Sequence, residues 1–178
     1  MRRQIAALFL FLLAALLVGS CRARTERSEG SVLLSVSHFD GLPLSVSASS
    51  SIAQIGTLTL RNIPKVPTGT SALQDIELRS YEVTYERLDS GRRLPPVLIE
   101  GLFGIVGVNG TSDFNNLAFM RPDQLGNPPL SDLRRNGVDS ETGSRVIPLR
   151  ITLRFFGRTI AGDDIASEPA SFNIDVVP

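Results

Sequence analysis

Residues 147–155 read IPLRITLRF, a run in which every second residue is apolar. Neighbouring side chains of a β-strand point to opposite faces, so this period of two predicts a strand with one buried face. The intervening positions carry two arginines, a threonine and a proline, which suit a solvent-exposed face. The buried set would be Ile147, Leu149, Ile151, Leu153 and Phe155.

The same pattern recurs in shorter runs through the rest of the chain. No segment after residue 30 keeps a helical period over 11 residues. About seven strands separated by turns predict one all-β domain with two packed sheets. The seven candidate strands cover residues 31–37, 57–61, 76–88, 97–108, 113–120, 147–157 and 172–176, and residues 44–47 suggest a short continuation of the first.

Two of these candidates carry internal irregularities. Ile76 and Leu78 share one parity and the apolar residues of 81–85 share the other, so we expect a bulge near Arg79 and Ser80. Residues 97–108 contain three glycines, which is typical of a twisted or edge strand. The Asn109-Gly110 pair that follows predicts a hairpin turn.

Residues 121–144 form the longest segment without a strand pattern. They are rich in Pro, Gly, Asn and Asp, and only residues 131–134 suggest a single helical turn. Loops of this length in compact domains are commonly functional or disordered. The segment is therefore either a flexible or folded-back loop, or a contact surface at one end of the sandwich.

The N-terminus has the layout of a secretory signal. Arg2 and Arg3 precede an uninterrupted apolar run, Ile5 to Val18. A helix of that length would rise about 21 Å, whereas a hydrocarbon core measures about 30 Å. The run ends in Gly19-Ser20 and then Cys21, which is the only cysteine of the chain.

Leu17-Val18-Gly19-Ser20-Cys21 resembles the lipobox of bacterial lipoproteins. The resemblance implies that Cys21 is lipidated and becomes the mature N-terminus, held in a lipid bilayer. The next residue is Arg22 and not the aspartate of inner-membrane retention, which implies the outer membrane. The expected organisation is a signal peptide (1–20), a polar tether (21–30) and a β-sandwich (31–178). The alternative is an ordinary signal peptide whose cleavage removes Cys21 or leaves a thiol.

The domain also resembles immunoglobulin-like and fibronectin type III-like modules of bacterial surface proteins. Residues 81–85 (YEVTY) look like the central strand of the fibronectin type, and 151–157 with 172–176 look like its closing strand pair. The cysteine pair and tryptophan of antibody domains are absent. Sandwiches of this kind host many unrelated functions, so the resemblance implies the fold alone.

The composition argues against several functions. The chain has 18 basic and 18 acidic residues, and this balance does not suggest a nucleic-acid partner. His38 is the only histidine, so the usual zinc site of His and Cys ligands cannot be assembled. We expect His38 to be structural or solvated, and we expect no cofactor.

Oxygen ligands for calcium remain conceivable at two places. Asp139 and Glu141 occupy alternate positions, as in calcium loops, although the full EF-hand pattern is missing. Asp163 and Asp164 follow Gly162 and are more simply explained as a turn.

The leading hypothesis is a non-enzymatic, membrane-tethered module that binds an unidentified protein or supports an envelope assembly. The first alternative is a carbohydrate or small-ligand binding module. Sugar platforms favour exposed aromatic residues, whereas Tyr81 and Tyr85 share a face with Val83 and are expected in the core. The remote alternative is a hydrolase based on two carboxylates, although no particular pair is marked.

Overall fold

A computed structural model of the chain describes residues 30–178, so the predictions for the signal peptide, Cys21 and most of the tether lie outside the described residues. Two short helices, α1 (Pro122–Gly126) and α2 (Leu130–Asn136), and one 3-10 turn (Ala72–Gln74) accompany the strands. No helix within residues 30–178 has the length and apolar character needed to cross a membrane. The strands are β1 (Val32–Asp40), β2 (Ser45–Ser47), β3 (Ala53–Pro64), β4 (Ile76–Arg87), β5 (Leu98–Val106), β6 (Thr111–Met120), β7 (Ile147–Thr159), β8 (Asp164–Ala166) and β9 (Ala170–Val177).

The strands form two sheets, as an all-β sandwich requires. The smaller sheet has the order β1-β3-β6, and the larger has the order β2-β9-β7-β4-β5, with β8 paired to β7. If β1, β3, β4, β5, β6, β7 and β9 are labelled A, B, C, C′, E, F and G, an ABE sheet faces a GFCC′ sheet. The predicted all-β fold of two packed sheets is confirmed. The two short strands β2 and β8 raise the number of strands from the predicted seven to nine.

β7 is the centre of the larger sheet. It lies between β4 and β9, so both of its edges are paired. Its side chains alternate strictly between buried and accessible along the strand, as the sequence predicts. The five apolar side chains from Ile147 to Phe155 are fully buried.

The core lies between the two sheets and contains several aromatic contacts. The rings of Tyr81 and Phe155 stack with their centroids 5.9 Å apart. Phe119 of β6 meets Phe172 of β9 edge-on at 5.3 Å, and this contact joins one sheet to the other. Such pairs stabilise the fold by about 1 kcal/mol beyond the burial of their area.

The predicted bulge in β4 is confirmed. The pairing of β4 with β7 shifts between Leu78 and Ser80, which leaves Arg79 as the extra residue. Because of this shift, Ile76 and Leu78 point into the core together with Tyr81, although their parities differ. Without the bulge, one of the two sets would face solvent.

The Asn109-Gly110 turn is present but does not close a hairpin. Gly110 donates a backbone hydrogen bond of 2.9 Å to Gly107, and Asn109 has a positive φ of 57°. The strands on either side, β5 and β6, belong to different sheets. The turn therefore carries the chain across the sandwich, and the hairpin expectation was wrong because a local turn signal does not specify strand pairing.

Of the alternatives left open for residues 121–144, the structure shows the folded-back one. The segment forms α1 and α2 and lies over the end of the sandwich where β6 stops and β7 begins. Leu125, Leu130 and Leu133 are fully buried in the core. The predicted helical turn at 131–134 is confirmed and extends to seven residues.

Candidate interaction surface

The most exposed apolar side chains within one strand lie on β5, the predicted edge strand. In the described chain β5 pairs with β4 alone, and its side chains alternate between inward and outward. Ile99, Phe103 and Ile105 point outward with 68%, 87% and 58% of their surfaces exposed, and we call these three residues the β5 apolar row. Proteins usually protect edge strands with charges, prolines or bulges. The outward face of β5 has no charge or proline, and its register against β4 is irregular between Gly101 and Gly104.

The register of the sheet explains why the row stays uncovered. On β4, Glu82 lies beside Ile99 and Glu77 lies beside Ile105. Neither glutamate covers the row, because the three side chains beside them remain more than half exposed. Six residues of strand separate Ile99 from Ile105, which corresponds to about 20 Å. The row is therefore a narrow apolar stripe that borders a charged sheet face.

A groove of about 580 Å³ runs along the same side of the molecule, between β5 and β6. It exists because these two strands are the neighbouring edges of different sheets. Phe114 packs over Gly104, where a Cβ atom would lie 2.8 Å from the ring. The groove is lined by polar and apolar groups, including Tyr81, Glu100, Leu102, Phe114, Asn116 and Arg121.

The charged groups of this groove are engaged with each other. Arg121 forms an ion pair with Glu100. The Tyr81 hydroxyl lies 2.5 Å from Glu100 Oε2 and 2.8 Å from the backbone oxygen of Ala118. Burial and the hydrogen bond to the Glu100 carboxylate both raise the pKa of Tyr81 above its usual value. Tyr81 is therefore a neutral hydrogen-bond donor at ordinary pH.

Both tyrosines lie in the core, as predicted. Tyr81 and Tyr85 are buried beside Val83, and their hydroxyl groups reach backbone oxygens of β6. Their rings are therefore unavailable as stacking platforms for a sugar.

A second polar cluster lies at the end of the sandwich that carries the helices. The Arg87 guanidinium is bound by Asp89 at 2.6 Å, by Asp139 at 2.9 Å and by Glu141 at 3.3 Å. Glu141 also accepts hydrogen bonds of 2.9 Å from the backbone N–H groups of Arg92 and Arg93. The cluster thus joins the end of β4 and the turn after it to the chain that leads into β7.

This cluster bears on the calcium hypothesis for Asp139 and Glu141. The two carboxylates do converge, but they converge on the positive charge of Arg87. Burial alone would raise the pKa of Asp139, but hydrogen bonds from Arg87 and Thr142 outweigh it and lower the pKa to about 2. Within residues 30–178 no group of three or more His, Cys, Asp or Glu side chains is arranged to hold a metal ion.

The other residues singled out in the sequence are dispersed. A register shift between Val36 and His38 turns His38 outward, so it is exposed and does not share a face with Val32 and Leu34. Asp163 and Asp164 lie at the turn from β7 to β8, where the Asp163 backbone N–H donates a hydrogen bond of 2.9 Å to the Thr159 hydroxyl oxygen. This arrangement agrees with the turn interpretation.

Sequence reasoning missed the β5 apolar row. The available signal was the combination of apolar residues on both faces of residues 97–108 with glycines that indicate an edge. A strand that is apolar on both faces is normally covered on both faces. At a sheet edge such a strand needs a further partner.

Comparison with protein-family models, with curated proteins and with solved structures finds no match for the chain.

Proposed function

We propose that the chain is a lipid-anchored protein of the bacterial envelope whose β-sandwich acts without catalysis, by binding another protein. The β5 apolar row is the observation that carries the binding part of this proposal. Exposed apolar side chains gathered on one strand cost free energy in water, and such patches usually mark contact surfaces. The row replaces residues 121–144 as the candidate surface, because the leucines of that segment are buried.

The anchoring part rests on Cys21 and its surroundings in the sequence. It is supported by the position at which the described domain starts. Val32 of β1 pairs with Pro64, and this end of the sandwich lies opposite the one that carries α1 and α2. A tether of residues 21–30 would therefore enter at one end, place the helices far from the bilayer, and leave β5 accessible along the side. The proposed location is the outer membrane.

Site-specific photo-cross-linking tests the binding part. A photoreactive residue at Phe103, in the full chain in its own membranes, is expected to yield a discrete cross-linked protein band. Leu44 is a matched control, because it is equally apolar and 91% exposed but lies beside β2. Phe103→Asp should remove cross-links formed from Ile99. Equal labelling from Phe103 and Leu44, or none from either, would contradict binding at β5.

The anchor has a separate test. Cys21→Ala is expected to abolish incorporation of labelled fatty acid and to release the protein from sedimented membranes. Arg22→Ala serves as the neighbouring control and should retain both properties. Membrane retention of the Cys21→Ala variant without lipid would show that attachment does not depend on this residue.

The groove between β5 and β6 supports a second candidate, binding of a carbohydrate or another small polar ligand. Its volume suits a small molecule, and Glu100, Arg121 and Asn116 offer both donors and acceptors. A glycan panel should then raise the midpoint of thermal unfolding, and Arg121→Ala should abolish that rise. Arg154→Ala, on the outer face of β7, is the control. Absence of any shift across the panel would reject this candidate.

A further inference from the structure

We infer that one end of the sandwich lies against the bilayer and inserts its exposed loops into the headgroup layer. The inference rests on the proposed anchor at Cys21 and deepens it, because it specifies how the anchored domain is oriented. We call this end, where the described chain begins, the tether end; it comprises residues 30–32, 64–75, 107–110 and 159–163. The partner that fits it is a lipid surface.

Hydrogen bonds join the loops of the tether end into one surface. The Ala161 backbone N–H donates a bond of 2.8 Å to the Leu73 oxygen, which connects the β7–β8 turn to the 3-10 turn. The Lys65 N–H donates a bond of 3.0 Å to the Ser31 oxygen, so the loop after β3 lies beside the start of β1. These loops are parts of the folded domain, and a contact that they make orients the whole sandwich.

Three apolar side chains of these loops are exposed. Val66, Leu73 and Ile160 have 61%, 57% and 45% of their surfaces accessible. Thr159 and Asp163 form the last hydrogen-bonded pair of the β7–β8 turn, so Ile160 lies in the turn itself, beyond the paired strands. Apolar side chains in such positions gain free energy when they leave water for the boundary between headgroups and acyl chains.

The tether end is almost free of charge. Its loops contain a single charged residue, Lys65, over residues 62–74, 105–112 and 159–162. A lysine can keep its ammonium group among phosphate headgroups while its stem lies along apolar surface. At the opposite end, residues 86–93 and 121–145 carry many charges of both signs. Charged groups resist transfer out of water, so the tether end suits a lipid surface better than the opposite end does.

The acidic residues nearest to these loops have partners or lie at their border. The Asp75 carboxylate is half-buried and accepts a hydrogen bond of 2.8 Å from the Val108 N–H. Asp164 lies 4.0 Å from the Arg158 guanidinium. Asp163 is part of the last pair of the β7–β8 turn and not of its outer residues. These carboxylates therefore border the tether end and leave its outer loops without negative charge.

The anchor makes a weak contact of this kind sufficient. Nine residues, 22–30, follow Cys21 before β1, and they reach about 30 Å when extended, at roughly 3.3 Å each. The tether end therefore stays close to the bilayer that holds the acyl chains, and the contact forms at a high effective concentration. A few apolar side chains can then orient the domain, although they would not hold an unanchored domain on a membrane.

Fluorescence quenching tests the orientation in the acylated full chain, reconstituted in vesicles of phosphatidylethanolamine and phosphatidylglycerol. Acylation consumes the Cys21 thiol, so one added cysteine can be labelled alone. A fluorophore at Val66→Cys or Leu73→Cys should be quenched by lipids that carry a nitroxide on the headgroup, and one at Leu44→Cys should not. Leu44 is the matched control, because it is apolar, 91% exposed and next to Asp175, away from the tether end. Equal quenching at the three positions would overturn the inference.

A charge substitution in the same vesicles tests which side chains make the contact. Leu73→Asp is expected to lower the equilibrium constant for the lipid contact about tenfold, measured by quenching at Val66→Cys, because a buried leucine is lost. Leu44→Asp should leave it unchanged, and both variants should keep the unfolding midpoint of the parent, because both side chains are exposed. Unchanged quenching in the Leu73→Asp variant would overturn the inference.

The same preparation separates this inference from the anchor. An acylated chain that sediments with the vesicles but shows no quenching at Val66→Cys or Leu73→Cys would overturn the inference and leave the anchor standing. A chain that carries no acyl group and stays in the supernatant would overturn both.

Discussion

The Tyr85 hydroxyl group donates a hydrogen bond of 2.6 Å to the backbone oxygen of Phe119, and this bond crosses from the larger sheet to the smaller one. The Tyr81 hydroxyl lies 2.8 Å from the backbone oxygen of Ala118, and its single proton is shared between this oxygen and the Glu100 carboxylate. Burial raises the pKa of Tyr85, so its hydroxyl remains protonated and able to donate. Since β5 and β6 are not paired in the described structure, these hydroxyl groups connect the two sheets on their open side.

Removal of this cross-sheet bond should destabilise the domain. Tyr85→Phe keeps the ring but leaves the buried Phe119 oxygen without its donor, which should lower the free energy of unfolding by about 1–2 kcal/mol. Thr84→Val removes a hydroxyl group from the outer face and should change it by less than about 0.5 kcal/mol. Urea unfolding followed by circular dichroism measures both. Equal losses in the two variants would contradict the role of the bond.

The Arg87 cluster should make stability depend on pH in the acidic range. The pKa of Asp139 falls from 3.8 to about 2 in the folded protein, because hydrogen bonds from Arg87 and Thr142 outweigh burial. The folded protein therefore binds protons less readily than the unfolded chain, and the stabilisation is complete above about pH 4 and lost as the pH falls through 2. This linkage contributes about 2 kcal/mol.

Asp139→Asn isolates that dependence. The difference in unfolding free energy between the parent and this variant should be largest at neutral pH and should shrink towards pH 2. Asp132→Asn is the control, since its carboxylate is more exposed and binds Arg93 at 3.2 Å without contact to Arg87. A difference that stays constant from pH 7 to pH 2 would show that Asp139 does not carry the linkage.

The segment 121–144 should behave as part of the core. Leu133→Ala removes a fully buried side chain of α2 and should cost about 2–4 kcal/mol. The neighbouring Arg134→Ala substitution lies on the exposed face of the same helix and should be nearly neutral. Chemical denaturation measures the free energy of unfolding of both variants. A nearly neutral Leu133→Ala would mean that the segment is detached from the domain in solution.

Gly157 should not tolerate a side chain. A Cβ atom at this position would lie 2.5 Å from the backbone oxygen of Glu77, beside the β4 bulge. Gly157→Ala must therefore shift the central strand pair, at a cost of about 1–3 kcal/mol. Gly126→Ala is the control, because nothing lies within 4 Å of its Cβ position. Equal thermal midpoints for the two variants would contradict the close approach of β4 and β7.

Much of the strand structure was predictable, because alternation is a local property. The alternation at Ile147–Phe155 predicted the central strand β7, and the change of parity between Leu78 and Tyr81 predicted the bulge in β4. Segment 121–144 was not predictable, because its buried leucines are separated by turn-forming residues and show no sustained period. The packing site of those leucines depends on the ends of β6 and β7, which come together only in the folded domain.

By itself the sequence determined the all-β class and the core position of the tyrosines, since both follow from the parity of neighbouring side chains. The three glycines of residues 97–108 indicated a twisted or edge strand. Only the tertiary structure decided that β5 and β6 belong to different sheets, that Asp89, Asp139 and Glu141 meet at Arg87, and that the β5 apolar row is uncovered. The physical reason is that these facts depend on contacts between residues far apart in the chain. A period of two specifies which face a side chain occupies, but it does not specify what lies opposite that face.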